Sequence, residues 1–469
     1  MRLSFLFFLV LWAFIGCESV HKKTPGPYNV LFLVIDDLRP ELGAYGADHI
    51  VSPSIDALAA KSLVFEKAYC QAPICSPSRM SFLTGLRPHE TGINNNDTPL
   101  REKLPGAVTL PQFFKERGYQ TEAYGKVFHQ GIGDPLSWNY YQDGPKQRST
   151  YHFEENVKIN APWDGSKRGR PYEYADVHDS LYTDGIIANR AIRALRRFEQ
   201  DKPFFLAVGL LKPHLPFNAP KKYWDLYENP VRHLDRPPGY PPGVPRYVGT
   251  NAGELRKYHD IPRGPIAASK GDTLVHGYFA CISYMDAQVG RILSELERLG
   301  KTESTIVVLF GDHGYKLGEY GDWCKNTHYD YDTRVPLILH HPDKAGQRTS
   351  SLAELVDVYP TLIEAAGFKD GPAQLTGKSL MPLFENPELQ IKEAAFAQRP
   401  RKRVYGYSVS TANHKLIKWV DREDPDSVAY LELYDLTHGR VEEQNVAHQP
   451  RYKEVQKKLL ALLNDEIGI

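Results

Sequence analysis

The sequence has few cysteines and no excess of either charge. Only five of its 469 residues are cysteine, which excludes a small scaffold held together by disulfides. Lysine plus arginine and aspartate plus glutamate both number 57, so the formal net charge is zero. A neutral chain gives no case for nucleic acid as a partner, or for a polybasic contact with a membrane surface. No internal repeat or low-complexity tract is present.

Only the N-terminus has an apolar run that stands out. MRLSFLFFLVLWAFIGC begins with a basic Arg2, continues for about 13 apolar residues and ends at Cys17, which predicts a secretory signal because the run is short for a membrane span. The position of Cys17 resembles a bacterial lipoprotein box, in which the cysteine carries the lipid. An ordinary signal peptide cut nearby is the alternative. Both readings predict export to the periplasm or cell surface, with residues 18–27 as a linker.

The other cysteines do not form a complete set of pairs. Apart from Cys17 and Cys75, three remain, Cys70, Cys281 and Cys324, and an odd number cannot all be joined. Export makes a single disulfide possible. Cys324 is either filler or a partner for Cys70 or Cys281, and the sequence leaves these alternatives open.

Buried strands alternate with helices along most of the chain. Continuous apolar runs predict strands buried on both faces at residues 29–35, 203–211 and 305–310, and residues 120–124 predict a short strand. Helical spacing of apolar residues predicts helices at residues 54–67, 110–117, 182–200 and 284–299. This alternation predicts an α/β fold with a large, mostly parallel sheet sandwiched by helices.

The character of the chain changes after about Pro387. Residues 405–410, 414–420 and 430–436 predict antiparallel strands, and residues 449–463 predict a terminal helix. We therefore expect a large domain at residues 28–387 and a small C-terminal α+β domain at residues 388–469. The loops at residues 130–180 and 218–270 are long, and loops of this length are usually functional or disordered.

Polar residues follow four of the predicted strands at their carboxyl ends, where open α/β sheets bind ligands: Asp36-Asp37, Lys126, His214 and Asp312-His313. The three aspartates offer the carboxylate oxygens that Ca²⁺ prefers. His313 suits a softer metal, or lies beside the site. Either acidic pair alone would be read as a turn or a helix cap. Two such pairs at the ends of buried strands predict a divalent metal site.

Residues 73–79 read PICSPSR and place Cys75 between two prolines. Proline disfavours a regular helix around the cysteine, whereas the stretch after Pro77 can start one. We expect Cys75 in a tight loop at a helix N-terminus, a place that holds anionic groups well. The alternative is a small buried hydrophobic residue.

Residues 75–85, CSPSRMSFLTG, resemble the signature of the sulfatase family, Cys-x-Pro-x-Arg followed by Thr-Gly. The resemblance covers nearly the whole mature chain, through NVLFLVIDDLRPELGAYG, GKVFHQG, LKPHLPF, FGDHGYKLGEYGDWCKNTHYD and ELYDLTHGRVEEQN. Within the family these motifs are most similar to iduronate-2-sulfatase and its bacterial polysaccharide-sulfatase relatives. The resemblance implies an alkaline-phosphatase-like fold.

The resemblance also implies a modified cysteine and a metal. Cys75 would be oxidised to formylglycine by a formylglycine-generating maturase, and the aldehyde hydrate would supply the nucleophilic oxygen. One cation, Ca²⁺ or else Mg²⁺, would polarise the sulfate ester. Its ligands would be Asp36, Asp37, Asp312, His313 and the modified Cys75.

Five further residues receive roles from the resemblance. Arg79 would hold the hydrate and offset the charge of the metal site. Lys126 and Lys325 would bind sulfate oxygens. His129 would bond to the hydrate and act as a base, and His214 would be the general acid. Each has a structural alternative: a solvated lysine, a satisfied loop histidine or a salt-bridged arginine. Their joint occurrence in motifs at strand exits favours the site.

Three functions fit these features. The first is an exported sulfatase acting on a sulfated glycan, such as an oligosaccharide with iduronate-2-sulfate or the algal polysaccharide ulvan. The second is a phosphate or phosphonate ester hydrolase of the same superfamily, for which a Ser or Thr nucleophile and more histidines would be expected. The third is a sugar-binding protein without activity. The signature cysteine with its two lysines favours the first. Loop residues Arg168, Arg170 and Tyr172 either contact the sugar or are merely solvated.

Overall fold

The computed structural model describes residues 27–145, 151–160, 168–228, 234, 236–437, 439 and 442–468. The predicted signal peptide at residues 1–17 and nearly all of the linker at residues 18–27 lie outside this part of the chain. Among the helices that are described, none combines the length and the apolar character that a membrane span requires.

An eight-stranded sheet forms the centre of the larger domain. From one edge to the other its strands are β12 (Gln347–Glu354), β2 (Leu63–Tyr69), β11 (Arg334–His340), β8 (Thr305–Gly311), β1 (Asn29–Ile35), β6 (Phe204–Leu210), β3 (Gln120–Gly125) and β4 (Tyr140–Gln142). Strand β11 runs antiparallel to both of its neighbours, and the other pairs are parallel. The predicted mostly parallel sheet is confirmed.

Helices cover both faces of this sheet. The helices on one face are α1 (Pro53–Ala59), α7 (Thr183–Arg197) and α9 (Ala268–Arg298); those on the other are α2 (Cys75–Thr84), α5 (Leu110–Lys115) and α11 (Val358–Ala365). In the central strand β1, Leu31 and Leu33 enter the first core, whereas Phe32 and Val34 enter the second. Burial on both faces explains the continuous apolar run NVLFLVI.

Short elements fill the connections. The helices are α3 (Pro88–Thr91), α4 (Leu100–Lys103), α6 (Glu154–Asn160), α8 (Lys221–Trp224) and α10 (Asp330–Thr333). Two small ribbons pair β5 (Tyr172–Glu173) with β7 (Phe217–Asn218) and β9 (Lys316–Leu317) with β10 (Trp323–Cys324).

A four-stranded antiparallel sheet follows near the C-terminus. Its strands are β13 (Ala395–Pro400), β14 (Val404–Ser410), β15 (His414–Asp421) and β16 (Val428–Asp435), and helix α12 (Lys453–Ile467) ends the chain. One face of the sheet packs on Leu459 and Leu463 of α12. On the other face, Trp419 packs among aromatic residues of the larger domain. The predicted α+β character is confirmed, and the expected boundary after residue 387 falls shortly before β13.

One predicted helix was wrong. Residues 54–67 form helix α1 only as far as Ala59, and the chain then enters strand β2 at Leu63. The segment LVFEKAY lies between β11 and β12, where its backbone completes the sheet, so tertiary pairing overrides the helical spacing. The predicted helix at residues 284–299 is real, but it begins at Ala268.

A close approach between β3 and β6 requires glycine. Gly125 has φ +81°, and a Cβ atom there would lie 2.1 Å from the carbonyl oxygen of Gly209. We expect Gly125→Ala to lower the free energy of unfolding by about 2–4 kcal/mol, from overpacking and the left-handed backbone. Urea denaturation followed by circular dichroism measures the loss.

Gly118→Ala is the matched control. Gly118 has φ +84°, and a Cβ atom there would meet nothing within 4 Å. Gly118→Ala should lower the free energy of unfolding by only about 1–2 kcal/mol, because only the left-handed backbone conformation opposes it. Equal losses in the two variants would contradict the steric argument.

Candidate active site

The register between β1 and β8 brings the two acidic motifs together. Ile35 pairs with Gly311, so Asp36 and Asp312 leave the sheet side by side. The Asp312 N–H donates to the carbonyl of Ile35 at 3.0 Å, which extends the ladder to the acidic residue itself. Both carboxylates are fully buried.

Asp37 turns the chain away from the sheet. Its φ of +62° lies in the left-handed region, which aspartate tolerates better than most residues. The Asp37 N–H donates to Asp312 Oδ1 at 3.1 Å, which holds this turn against the neighbouring motif. The carboxylates of Asp36 and Asp37 are thereby fixed on the same edge of the sheet.

Cys75 is the first residue of helix α2, so it lies at a helix N-terminus as expected, although the helix starts at Cys75 itself and not after Pro77. The side chain is 2% exposed. Its Sγ atom lies 3.4 Å from Lys126 Nζ and 3.3 Å from His313 Nε2. A thiol held between two basic groups at a helix N-terminus occupies a position suited to negative charge.

Arg79, one turn further along α2, connects the strand ends. Its guanidinium lies 3.1 Å from Asp36 Oδ1 and 2.9 Å from Asp312 Oδ2. It also donates to the main-chain carbonyls of Lys126 and Val127. The described hydrogen bonds of Arg79 all go to these groups and none goes to the Cys75 sulfur. Arg79 therefore holds α2 against the strand ends that carry the site.

Four of the predicted metal ligands have donor atoms within 4.8 Å of one another: Asp36, Asp37, Cys75 and His313. The His313 Nδ1 atom faces the carbonyl of Gly314 at 3.1 Å, so a metal would bind through Nε2. Although burial opposes it, the charge of Asp312 raises the pKa of His313 to about 10, so Nε2 would give up a proton to the cation. Burial raises the pKa of Asp37 even though Lys325 is nearby. A divalent cation would stabilise this buried anionic cluster, so the donor set fits one.

Asp312 lies beside this group of donors and is not part of it. Its Oδ1 atom accepts from the N–H groups of Asp37 and His313, and its Oδ2 atom accepts from Arg79. In this arrangement Asp312 positions the other ligands, and its predicted role as a direct ligand stays a prediction.

Two lysines extend over the carboxylates. Lys126 Nζ lies 2.6 Å from Asp36 Oδ2, and Lys325 Nζ lies 2.9 Å from Asp37. Although burial alone would lower the pKa of Lys126, the charge of Asp36 raises it. Burial also opposes the charge of Lys325, but the carboxylates of Asp37 and Glu254 raise its pKa well above the usual value. Both side chains therefore carry fixed positive charges into the site.

His214 lies between two carboxylates and a carbonyl. Its Nε2 atom is 3.1 Å from Glu254 and 3.8 Å from Asp37, and Nδ1 is 2.6 Å from the carbonyl of Leu215. All three partners are hydrogen-bond acceptors. Glu254 also contacts Lys325 at 2.8 Å. Although burial opposes its ionisation, Lys325 and His214 hold the pKa of Glu254 well below its usual range.

His129 lines the same cleft in different surroundings. Burial, reinforced by the charge of Lys126, lowers its pKa to about 3. The Nδ1 atom is buried and has no hydrogen-bond partner in the described structure. His129 is therefore a neutral imidazole near pH 7, which can accept a proton.

These residues open into a cleft of about 850 Å³. Cys75, Lys126, His129, His214 and Lys325 all line it, together with Arg168 of the loop residues proposed as sugar contacts. The other two loop residues point elsewhere. Arg170 pairs with Glu155, and the Tyr172 ring packs at a tilt against that of Trp224.

Sequence reasoning missed five charged residues of the cleft: Asp97, Glu254, Lys257, Arg399 and Arg401. Glu254 has no local signal, because it lies in a loop whose path is set by tertiary packing. The two arginines had a local signal, because residues 399–403 read RPRKR, a basic run in a chain of zero net charge.

The remaining described cysteines are unpaired. Cys70, Cys281 and Cys324 are buried and free, like Cys75. Burial raises the pKa of the Cys324 thiol to about 12, so this neighbour of Lys325 is an inert group. Of the alternatives for Cys324, the structure supports a packing residue (filler) and not a disulfide partner.

Comparison with known proteins identifies the family. The family model described as Sulfatase matches residues 28–368, and that described as N-sulphoglucosamine sulphohydrolase, C-terminal, matches residues 318–467. Iduronate 2-sulfatase of Homo sapiens is 32% identical, with 92% of this chain and 93% of that protein covered.

Solved structures share the fold. The phosphonate monoester hydrolase from Silicibacter pomeroyi superposes with a TM-score of 0.77 at 21% identity, covering 94% of this chain and 95% of that one. A protein solved in complex with its substrate D-glucosamine-2-N,6-O-disulfate gives a TM-score of 0.76 at 22% identity, covering 94% and 97%. With the family match over most of its length, this chain belongs to the sulfatase family of the alkaline-phosphatase-like superfamily.

Proposed function

We propose that this protein is an exported enzyme that hydrolyses sulfate esters of a sulfated glycan. It would use formylglycine made from Cys75 and one divalent cation, Ca²⁺ or else Mg²⁺. Membership of the family gives the reaction class, hydrolysis of a sulfuric ester. The observation that carries the mechanism is the Cys75 sulfur at a helix N-terminus, 3.4 Å from Lys126 and 3.3 Å from His313.

The hydrate of formylglycine at position 75 would supply the oxygen nucleophile towards sulfur, and a cation held by Asp36, Asp37 and His313 would polarise a sulfuryl oxygen. Lys126 and Lys325 supply two further positive charges in a buried setting, where they stabilise developing negative charge more strongly than in water. Asp312 would complete the metal site, directly or through its neighbours. Arg79 would keep the helix that bears residue 75 against these groups.

Two histidines in different surroundings suit the two proton transfers. His214 faces acceptors with both ring nitrogens, so it can give a proton to the leaving alcohol oxygen as the ester bond breaks. His129 is neutral because burial lowers its pKa to about 3. It can therefore take a proton from a hydroxyl group at position 75 when sulfate is released. Opposite environments thus assign the acid and the base.

The substrate would be a sulfated oligosaccharide or polysaccharide. The relative from Homo sapiens is named for iduronate 2-sulfate, and we propose a uronic-acid-containing glycan for this chain too, with ulvan as an algal example. The N-terminal segment supports secretion to the periplasm or cell surface, with a lipid on Cys17. A formylglycine-generating maturase would be the partner that modifies Cys75.

A phosphate or phosphonate ester hydrolase is the alternative. The observation favouring it is the TM-score of 0.77 with a phosphonate monoester hydrolase. Paired 4-nitrophenyl esters of sulfate and phenylphosphonate share a leaving group, so their kcat/KM ratio separates the two activities. A ratio in favour of the phosphonate would overturn the sulfatase assignment for the site.

The first prediction concerns Cys75 in protein made with a maturase. Peptide mass spectrometry should show a loss of about 18 Da at Cys75, the change from thiol to aldehyde. Cys75→Ala should abolish turnover while the fold persists, whereas Cys281→Ala, at a buried free cysteine of α9, should keep both the modification and the activity. An unmodified thiol in fully active protein would refute the mechanism.

The second prediction concerns the cation. Chelation should lower kcat at least about tenfold and added Ca²⁺ should restore it, because the charge on the sulfuryl group would lose its main stabilisation. Atomic absorption should find one Ca²⁺ per chain in the wild type, none in Asp37→Asn, and one in the control Asp424→Asn, at an exposed turn. Full activity of the metal-stripped protein would show that the reaction needs no cation at this site.

The third prediction concerns His214. His214→Ala should lower kcat/KM on a methyl glycoside sulfate by about 10²–10⁴-fold, because the sugar alcohol leaves poorly without a proton. The loss on 4-nitrophenyl sulfate should be far smaller, since its phenolate leaves readily. His448→Ala, at an exposed position near the C-terminus, should change neither rate. Equal losses on both esters would instead assign His214 to positioning or sulfate binding.

A further inference from the structure

We infer that Arg399 and Arg401 form a second anion-binding position in the cleft, which takes a carboxylate or a second sulfate on the sugar that bears the scissile sulfate. Both side chains line the cleft that contains Cys75. They come from the end of β13 and the turn that follows it, so the C-terminal sheet supplies them. The inference rests on the proposed function and names a further property of its substrate.

Main-chain carbonyls hold both guanidinium groups. Arg399 Nη1 donates to the carbonyl of Asn94 at 3.1 Å. Arg401 Nη2 donates to those of Val248 at 3.1 Å and Asn326 at 2.5 Å. The Nε atoms of both arginines are buried without a partner in the described structure. Each guanidinium is thus oriented by neutral groups and keeps donors to spare.

Neither arginine has an acidic partner. Among the described residues, no carboxylate lies within 4.0 Å of either guanidinium, in contrast to Arg79, which contacts two. Burial, with the charge of Arg401 beside it, lowers the pKa of Arg399 to about 10. Both arginines are half-buried, so the two neighbouring cations repel each other, and an anion bound between them would remove this cost.

The arginines lie beside the groups proposed to hold the scissile sulfate. Arg401 bonds to the carbonyl of Asn326, the residue that follows Lys325. Glu254, an acid of the same cleft, is already engaged by His214 and Lys325. Guanidinium groups bind planar carboxylates with two parallel hydrogen bonds and also bind sulfate oxygens. The position therefore suits a second oxyanion on the same sugar.

Three probes test this by calorimetric binding to the Cys75→Ala chain. They are methyl iduronide 2-sulfate, methyl idopyranoside 2-sulfate and methyl idopyranoside 2,6-disulfate, which carry a carboxylate, a hydroxymethyl group and a second sulfate in turn. We expect at least one doubly anionic probe to bind about tenfold or more tightly than the hydroxymethyl probe. Whichever is preferred identifies the second anion as carboxylate or sulfate.

Arg399→Gln and Arg401→Gln, each in the Cys75→Ala background, should remove most of that preference. Arg403→Gln, at an exposed position of the same basic run, should retain it. If the parent shows no preference, or if both variants keep it, the inference is wrong. Equal weakening of all three probes would assign the arginines to positioning the Lys325 loop, which also overturns it. Turnover of the same probes by matured wild-type enzyme tests the proposed function separately.

Discussion

The buried guanidinium of Arg79 is the interaction on which the rest of the site depends. It bonds to Asp36 at the end of β1, to Asp312 at the end of β8, and to main-chain carbonyls just beyond β3. A buried charge costs several kcal/mol in lost hydration unless its donors are all satisfied. Three strand ends and the helix of Cys75 must therefore be in place together, and the site geometry becomes a property of the whole sheet.

The molecule separates rigid chemistry from adaptable recognition. The residues around Cys75 stand on strand ends and the first turn of α2, where β-ladder hydrogen bonds fix the backbone. Glu254 and Arg168 come from loops, and Arg399 and Arg401 come from the C-terminal sheet. Loops and added strands tolerate change better than central strands. Related sulfatases can therefore keep one reaction centre while the walls of the cleft differ.

In the large sheet, the sequence predicted strands β1, β6 and β8, which are continuous apolar runs, and the short strand β3. The bounds of these four strands were accurate to about one residue. Strand β12 (QRTSSLAE) is polar and lies at the sheet edge, and β11 contains Pro336, so neither has that signal. The site behaved similarly: residues after buried strands were found, whereas Glu254 depends on tertiary placement that no local pattern encodes.

The pairing of β1 with β8 also determines when the central sheet can form during synthesis of the chain. Asn29 and Thr305 are neighbours in the sheet but 276 residues apart in the chain. During synthesis, the apolar strand β1 remains incompletely paired until most of the chain has been made, because its partners β6 and β8 come late in the sequence. Such non-local pairing is slow, and it leaves aggregation-prone surface exposed in the meantime. Cys75 is accessible in that interval and 2% exposed after it. The proposed modification of Cys75 would therefore take place on the nascent or unfolded chain, before β8 closes the sheet.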